Sequence, residues 1–171
     1  GGNFLVTGTA TVNGNVTNDG LVKTTNANVT WNGTFTNNSA YISDPSTQTF
    51  SQDLIVTSSG YLVGTSPALG THPDSTPQDI FIFKNDFVNH STQNTKFNTF
   101  NAMMKFVTGD DNLHNLYIPG DGALAYNGIT ADNFVWHTMD TTGQTITLFD
   151  GNATAGGALY LYEGLIGAQI S

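Results

Sequence analysis

The sequence predicts an all-β chain folded as a β-solenoid, a coil of short strands in which each turn stacks on the turn before it. Three observations lead to this prediction. Thr (26), Asn (19) and Gly (19) dominate the composition while Glu, Lys and Arg are scarce, so helices have little to be built from. Apolar and polar residues alternate with a period of two. One motif also recurs about every twenty residues.

The recurring motif is an apolar residue, Thr, a few small polar residues, Gly or Ala, and then an apolar pair. It appears in segments 15–22, 34–42 and 55–63, with Val16, Phe35 and Val56 as its anchors. Such a short unit cannot bury its own apolar face, whereas stacked units can. At a spacing of about 4.8 Å, the chain predicts roughly eight coils in a rod of about 40 Å. The alternative is an antiparallel β-sandwich or jelly roll with strands every 8 to 12 residues or so.

The length of 171 residues suits a single domain spanning residues 1–171. Within it we predict repeat-like coils over 1–64, a surface loop over 65–79 and further β coils over 80–171. The loop is predicted because SPALGTHPDSTPQ holds three of the five prolines, which do not fit a central strand.

The second half of the sequence is also predicted to form β-strands. The continuous apolar run 80–83 is typical of a strand covered on both faces. Segment 97–107 has helical spacing but poor helix formers, so a short strand and a capping helix both remain open. Further strands are predicted at 115–118, 134–139, 146–149 and 158–162, separated by dipeptides such as Thr142-Gly143 that suit tight turns.

Charge and cysteine content bound the function. Only 10% of residues are charged, the net charge is −9 and Arg is absent, so the chain cannot grip a phosphate backbone and nucleic acid is excluded as a partner. The absence of cysteine fits a secreted bacterial protein without disulfides or a cytosolic one, and the composition favours secretion. No apolar run approaches the length of about 20 residues that a membrane span needs.

From about residue 89 the sequence contains three distinctive segments: "NHSTQNTKFNT", "FVTGDDNLHNLYIPG" and "DNFVWHTMDTTGQTITLFDGNATAGGALYLYEG". This succession resembles the C-terminal part of bacterial exported proteins of the PEP-CTERM type, which carry autotransporter-like β-helix repeats. The resemblance implies export and a surface or matrix location, and it implies no reaction. The Pro-Glu-Pro motif, apolar span and basic tail of that family are not found in these residues.

Candidate chemistry is sparse. Asp110 and Asp111, with His114 nearby, invite comparison with polysaccharide hydrolases, but those sites need basic residues to bind uronates and Arg is absent. We therefore expect a turn there and no enzyme. Weak calcium candidates are the hard-oxygen side chains of Asp110, Asp111, Asp150 and Asn152, without the spacing of a dedicated calcium loop. No cofactor is otherwise expected.

The predicted function is that of an extracellular structural protein. A solenoid has two ends with unpaired backbone groups, and neither end of this sequence reads as a cap, so we expect copies of the chain to stack head to tail into a filament. The predicted assembly residues are Asn3, Phe4, Leu5, Val6, Ala158, Leu159, Tyr160, Leu161 and Ile170. The alternative is a carbohydrate-binding or polysaccharide-acting β-helix domain, in which Trp31, Trp136 or Tyr residues stack on sugars.

Overall fold

The computed structural model describes residues 1–64, 79–93, 95–119, 124–126, 129–131, 135–150, 159–161 and 164–167. Within these ranges the chain is all β. In chain order the strands are β1 Asn3–Val6, β2 Ala10–Val12, β3 Val16–Asn18, β4 Leu21–Thr25, β5 Val29–Trp31, β6 Phe35–Asn37, β7 Ala40–Asp44, β8 Thr47–Phe50, β9 Leu54–Val56, β10 Tyr61–Val63, β11 Asp79–Phe83, β12 Phe87–Asn89, β13 Thr99–Phe106, β14 Leu113–Ile118, β15 Leu124–Tyr126, β16 Ile129–Ala131, β17 Val135–Asp140, β18 Thr145–Asp150, β19 Tyr160–Leu161 and β20 Leu165–Ile166.

The strands form three parallel sheets. The first sheet has the order β1-β4-β7-β10, the second β2-β5-β8-β11-β13-β17-β19 with β20 also on β17, and the third β3-β6-β9-β12-β14-β18. Only the small pair β15 and β16 is antiparallel among the described strands. Each early turn of the coil gives one strand to each sheet, which confirms the predicted β-solenoid and shows the antiparallel sandwich to be wrong.

The number of rungs in the described part is near the prediction of roughly eight coils. The described second sheet has seven rungs and the third has six, so at about 4.8 Å per rung the rod is about 30 Å long. Stacked partners lie 19 residues apart in the early turns, as Asn18 and Asn37 do, but 33 apart for Ser46 and Asp79. The later turns consume more chain, which the period of the first sixty residues cannot reveal.

The register of the repeat is right in two turns and wrong in the third. Val16 pairs with Phe35, as predicted, but Phe35 pairs with Leu54 and Val56 pairs with Asn37. The cause is a longer corner: β6 ends at Asn37 and β7 begins at Ala40, whereas β9 ends at Val56 and β10 begins at Tyr61. The Thr of the third unit, Thr57, therefore lies in this corner, whereas the equivalent Thr17 and Thr36 lie in strands.

Inward-facing residues form columns that run along the rod. One column of the second sheet contains, in order, Val12, Trp31, Phe50, Phe83 and Phe106. The rings of Phe50 and Phe83 are 5.8 Å apart and stacked, and those of Phe83 and Phe87 are 4.6 Å apart. Because parallel in-register strands place like positions above one another, these columns build one continuous aromatic core.

Asparagine side chains repeat the pattern at the corners. Asn32 Nδ2 donates to Asn13 Oδ1 (2.8 Å) on the surface, and Asn18 Nδ2 donates to Asn37 Oδ1 (2.7 Å) inside the coil. Asn18 Oδ1 also accepts the Gly20 N–H at 3.1 Å, which closes the turn between the third and first sheets. The high Asn content thus satisfies backbone groups where the chain changes direction.

One predicted segment needs correction, and the structure decides between the two alternatives left open for another. Asp79, placed in the surface loop, begins β11 and is fully buried, because its carboxylate accepts the Ser46 N–H at 2.9 Å. Residues 65–78 lie outside the described part. Segment 97–107 contains no capping helix: Thr99–Phe106 is a strand held on both sides by β11 and β17. Pairing with two neighbours outweighs the helical spacing.

Candidate assembly surfaces

The first turn of the coil forms an exposed end. The strands β1, β2 and β3 each pair with a single described strand, namely β4, β5 and β6. Phe4 is 47% exposed and Leu5 is 64% exposed, whereas Val6 is buried. In the same inward column as Phe4, the next residues Val22, Tyr41 and Leu62 are almost wholly buried. Phe4 is therefore a core residue that lacks a layer above it.

This end contains a cavity of about 480 Å³, which we call the mouth. Its apolar walls are side chains of the first two turns. The other lining residues are Gly1, Gly2, Asn3, Thr17, Asn18, Asp19 and Gly20. The apolar lining residues are Phe4, Val12, Val16, Leu21, Val22 and Trp31. The mouth is the interior of the solenoid seen end-on, and its walls are the ends of the inward columns.

The last described turn also exposes apolar side chains. In β20, which pairs with β17, Leu165 is 38% exposed and Ile166 is 48% exposed. Leu165 is aligned with Met139, an inward residue that is fully buried. At each described extremity of the rod, one apolar residue, Phe4 or Leu165, is therefore exposed in a position that is buried elsewhere along its column.

The predicted assembly residues differ in their exposure. Asn3, Phe4 and Leu5 are exposed at the first turn, while Val6 is buried at 8% exposure. Leu159 and Leu161 are half-buried and pack against the core, and Tyr160 contributes backbone to β19. Ala158 and Ile170 lie outside the described residues.

Sequence reasoning missed Leu165 and Ile166 as exposed end residues. The available signal was the short apolar stretch between Gly164 and Gly167, whose φ angles are +87° and +75°. A strand of two residues between two turn glycines is too short to stand out by periodicity.

The calcium candidates do not converge. Asp110 and Asp111 are exposed before β14, and the Asp111 carboxylate accepts the Leu113 N–H at 2.9 Å. Asp150 is aligned with Ile118, at the opposite end of β14, which is about 16 Å away for a strand of this length. Asn152 lies outside the described residues. No group of three or more His, Cys, Asp or Glu side chains suited to a metal occurs in the described ranges.

His114 does not face the neighbouring carboxylates. It is buried at 2% exposure, where its ring nitrogens contact the Asn85 carbonyl oxygen and Gln144 Oε1, both at 3.0 Å. Trp31 and Trp136 are also buried, at 1% and 0% exposure, so neither can stack on a sugar. The turn predicted at 109–111 is observed as an exposed bend.

One aromatic pair does face outward, on the third sheet. The outer row of this sheet changes along the rod from Thr to apolar residues, in the order Thr17, Thr36, Ile55, Val88, Tyr117 and Phe149. The rings of Tyr117 and Phe149 are 4.9 Å apart and stacked, and His90 lies 6.0 Å from Tyr117. Phe149 is 41% exposed.

Buried polar groups at the corner between the first and second sheets form a hydrogen-bond network. The Tyr41 hydroxyl accepts the Trp31 Nε1–H at 3.0 Å and donates to Gln48 Oε1. Burial raises the pKa of Tyr41 far above its ordinary value, the nearby Asp79 carboxylate adds to the rise, and the bond from Trp31 offsets only part of it. Tyr41 therefore stays neutral and serves as a fixed donor in this network.

Two ion pairs lie on the sides of the rod in the described residues. Lys23 Nζ lies 3.6 Å from Asp44, and Lys105 Nζ lies 3.0 Å from Asp140. Burial acts to raise the pKa of Asp140, but the hydroxyl and amide of Thr142 and the charge of Lys105 outweigh it and lower that pKa. No helix in the described residues could cross a membrane.

These features define the class of the molecule: a parallel β-solenoid with three parallel sheets and apolar side chains exposed at both described ends. No protein-family model, curated protein or solved structure matches the chain.

Proposed function

We propose that this protein is an extracellular structural subunit whose copies associate head to tail into a filament. The observation that carries the proposal is the mouth, an apolar cavity of about 480 Å³ bordered by strands that have one neighbour each. An exposed strand edge can pair with another chain, and soluble proteins usually protect such edges with charges, proline or a cover. In β1, β2 and β3 none of the residues is charged or proline.

The sides of the rod support axial rather than lateral growth. Thr11, Thr30 and Thr49 form a mostly polar outer row of the second sheet, which continues through Ile82 to the Lys105–Asp140 ion pair. Such polar rows stay hydrated, whereas the ends combine unpaired backbone with apolar side chains. Contact between two different ends of one subunit is heterologous and propagates without closing.

Export and a surface or matrix location are part of the proposal. They rest on the resemblance of residues 89 onward to exported PEP-CTERM-type proteins and on the cysteine-free, Thr- and Asn-rich composition. Copies of the chain are the proposed partners, with extracellular polysaccharide as a further one.

The test is electron microscopy and sedimentation velocity of the purified chain and three variants. We expect filaments from the unchanged chain. Phe4→Asp places a carboxylate in the mouth and should leave folded monomers, as should deletion of residues 1–12. Thr9→Asp adds the same charge at an exposed turn of the same end and should leave the filaments intact. Filaments that survive Phe4→Asp would overturn the proposal.

A second candidate function, glycan binding, is favoured by the outward pair Tyr117 and Phe149. Aromatic rings beside hydroxyl and amide groups are a common device for holding sugars, and a chain with net charge −9 suits a neutral glycan. A neutral glycan array should show binding that Phe149→Ala abolishes. Leu113→Ala, at a residue that is 59% exposed on the same sheet but carries no ring, is the control. An array without signal would exclude this function.

A further inference from the structure

The two end surfaces continue the same inward column. In the second sheet this column runs through Ala10, Val29, Gln48, Phe81, Met104, Met139 and Leu165. Its first member, Ala10, lies in the same first-turn strand as Val12, which lines the mouth. Its last member, Leu165, is exposed. The outer column beside it begins at Thr11 and ends at Ile166, paired with Asp140.

We infer that the last rung of one copy pairs with the first rung of the next in a single register, with Leu165 aligned with Ala10 and Ile166 with Thr11. This inference rests on the proposed function and names the contact through which the subunits associate. The occupant of the mouth is then a second copy of this chain, with Leu165 placed against its apolar wall.

Three observations favour this register. The column has the small residue Ala10 at the first rung and the larger apolar residue Leu165 at the last. The exposed Leu165 side chain of one copy therefore meets a small residue at the end of the next copy that contains the mouth. The backbone polarity is the same at both ends, so a parallel ladder continues across the junction. A shift by one residue would turn Leu165 outward and Ile166 inward, which exchanges the two faces of the strand.

The absence of cysteine makes the register directly testable. Adjacent parallel strands are about 4.8 Å apart, within the range of about 4.4 to 6.8 Å between Cα atoms that a disulfide requires. Within one chain the two positions are separated by the length of the rod, about 30 Å, so a bond between them joins two copies. We expect Ala10→Cys/Leu165→Cys, oxidised after assembly, to give a series of covalent oligomers on a non-reducing gel.

Three controls accompany the double variant. Ala10→Cys alone, Leu165→Cys alone and Ala10→Cys/Leu113→Cys should remain monomeric on the same gel. A covalent dimer from Ala10→Cys alone would indicate a head-to-head contact and overturn the inference.

Electron microscopy of the same samples distinguishes a wrong register from a wrong proposed function. Filaments that form without crosslinking of the double variant would overturn the register and leave the proposed function standing. Solitary particles at all concentrations would overturn both, and would assign the mouth to an occupant other than a second copy.

Discussion

At the scale of the residue, burial decides what each polar side chain contributes. Asn37 and Asn32 make the same kind of contact with an Asn one turn earlier, but Asn37 is fully buried and Asn32 is exposed. A buried amide that loses its partner keeps the full cost of its desolvation, whereas an exposed one is rehydrated. Asn37 and Asn32 therefore differ in their contribution to stability because of their position in the coil, although the sequence alone does not distinguish them.

We expect Asn37→Ala to lower the free energy of unfolding by about 1 to 3 kcal/mol, since it removes one of the two acceptors of the buried Asn18 amide and the side-chain donor to the Tyr61 carbonyl oxygen. Asn32→Ala removes an exposed bond of the same type and should cost less than about 0.5 kcal/mol. Urea unfolding followed by circular dichroism measures both. Equal losses would contradict the role assigned to burial.

The raised pKa of Tyr41 predicts a loss of stability at alkaline pH. In the folded chain Tyr41 keeps its proton, while in the unfolded chain it ionises near pH 10, so stability falls as pH rises above about 10. The slope for this one group is about 1.4 kcal/mol per pH unit. Unfolding curves between pH 9 and about 11.5 should fall more steeply than those of Tyr41→Phe, which is less stable at pH 7 but lacks this titration. Parallel slopes would refute the assignment.

At the scale of the element, the strands are short and their stability comes from stacking. Sequence alternation predicted where most strands occur, because inward residues differ so clearly from outward ones. It could not predict the lengths of the corners, which depend on hydrogen bonds between turns. The corner after Val56 and the partner of Asp79 show this: both are fixed by contacts with residues of other turns.

The aromatic column predicts that the stability of the fold depends strongly on its central ring, Phe83. Phe83 is fully buried between Phe50 and Phe106 and stacks on Phe87, so Phe83→Ala should cost about 3 to 5 kcal/mol. The exposed ring of Phe149 provides the matched control, and Phe149→Ala should change stability by less than about 0.5 kcal/mol. Thermal unfolding of the two variants gives the comparison. A small loss for Phe83→Ala would show that the core repacks around the gap.

Close approach of successive turns predicts which glycines cannot be replaced. A Cβ at Gly60 would lie 2.1 Å from the Asn37 carbonyl oxygen, whereas a Cβ at Gly8 meets nothing within 4 Å. Gly60→Ala must push two turns apart and should cost about 1 to 3 kcal/mol. Gly8→Ala should be neutral within about 0.5 kcal/mol. Differential scanning calorimetry of both variants tests this, and an unchanged melting temperature for Gly60→Ala would contradict the packing.

At the scale of the whole molecule, the function proposed here depends on the two extremities of the rod. The sequence predicted assembly residues in the first turn, among them Phe4 and Leu5, which are exposed. At the other extremity it predicted residues 158–161 and Ile170. Leu159 and Leu161 pack against the core, while Ala158 and Ile170 lie outside the described residues. The exposed pair is Leu165 and Ile166. Local patterns do not show which apolar strand is followed by another layer, because that depends on how much chain each turn consumes.

The most direct test of the central claim is electron microscopy of the purified chain at increasing concentration. Head-to-tail stacking predicts unbranched filaments of uniform width, with an axial repeat of one subunit, about 30 Å. Compact particles that remain solitary at the highest concentration would contradict the claim that the ends of the rod are its binding surfaces.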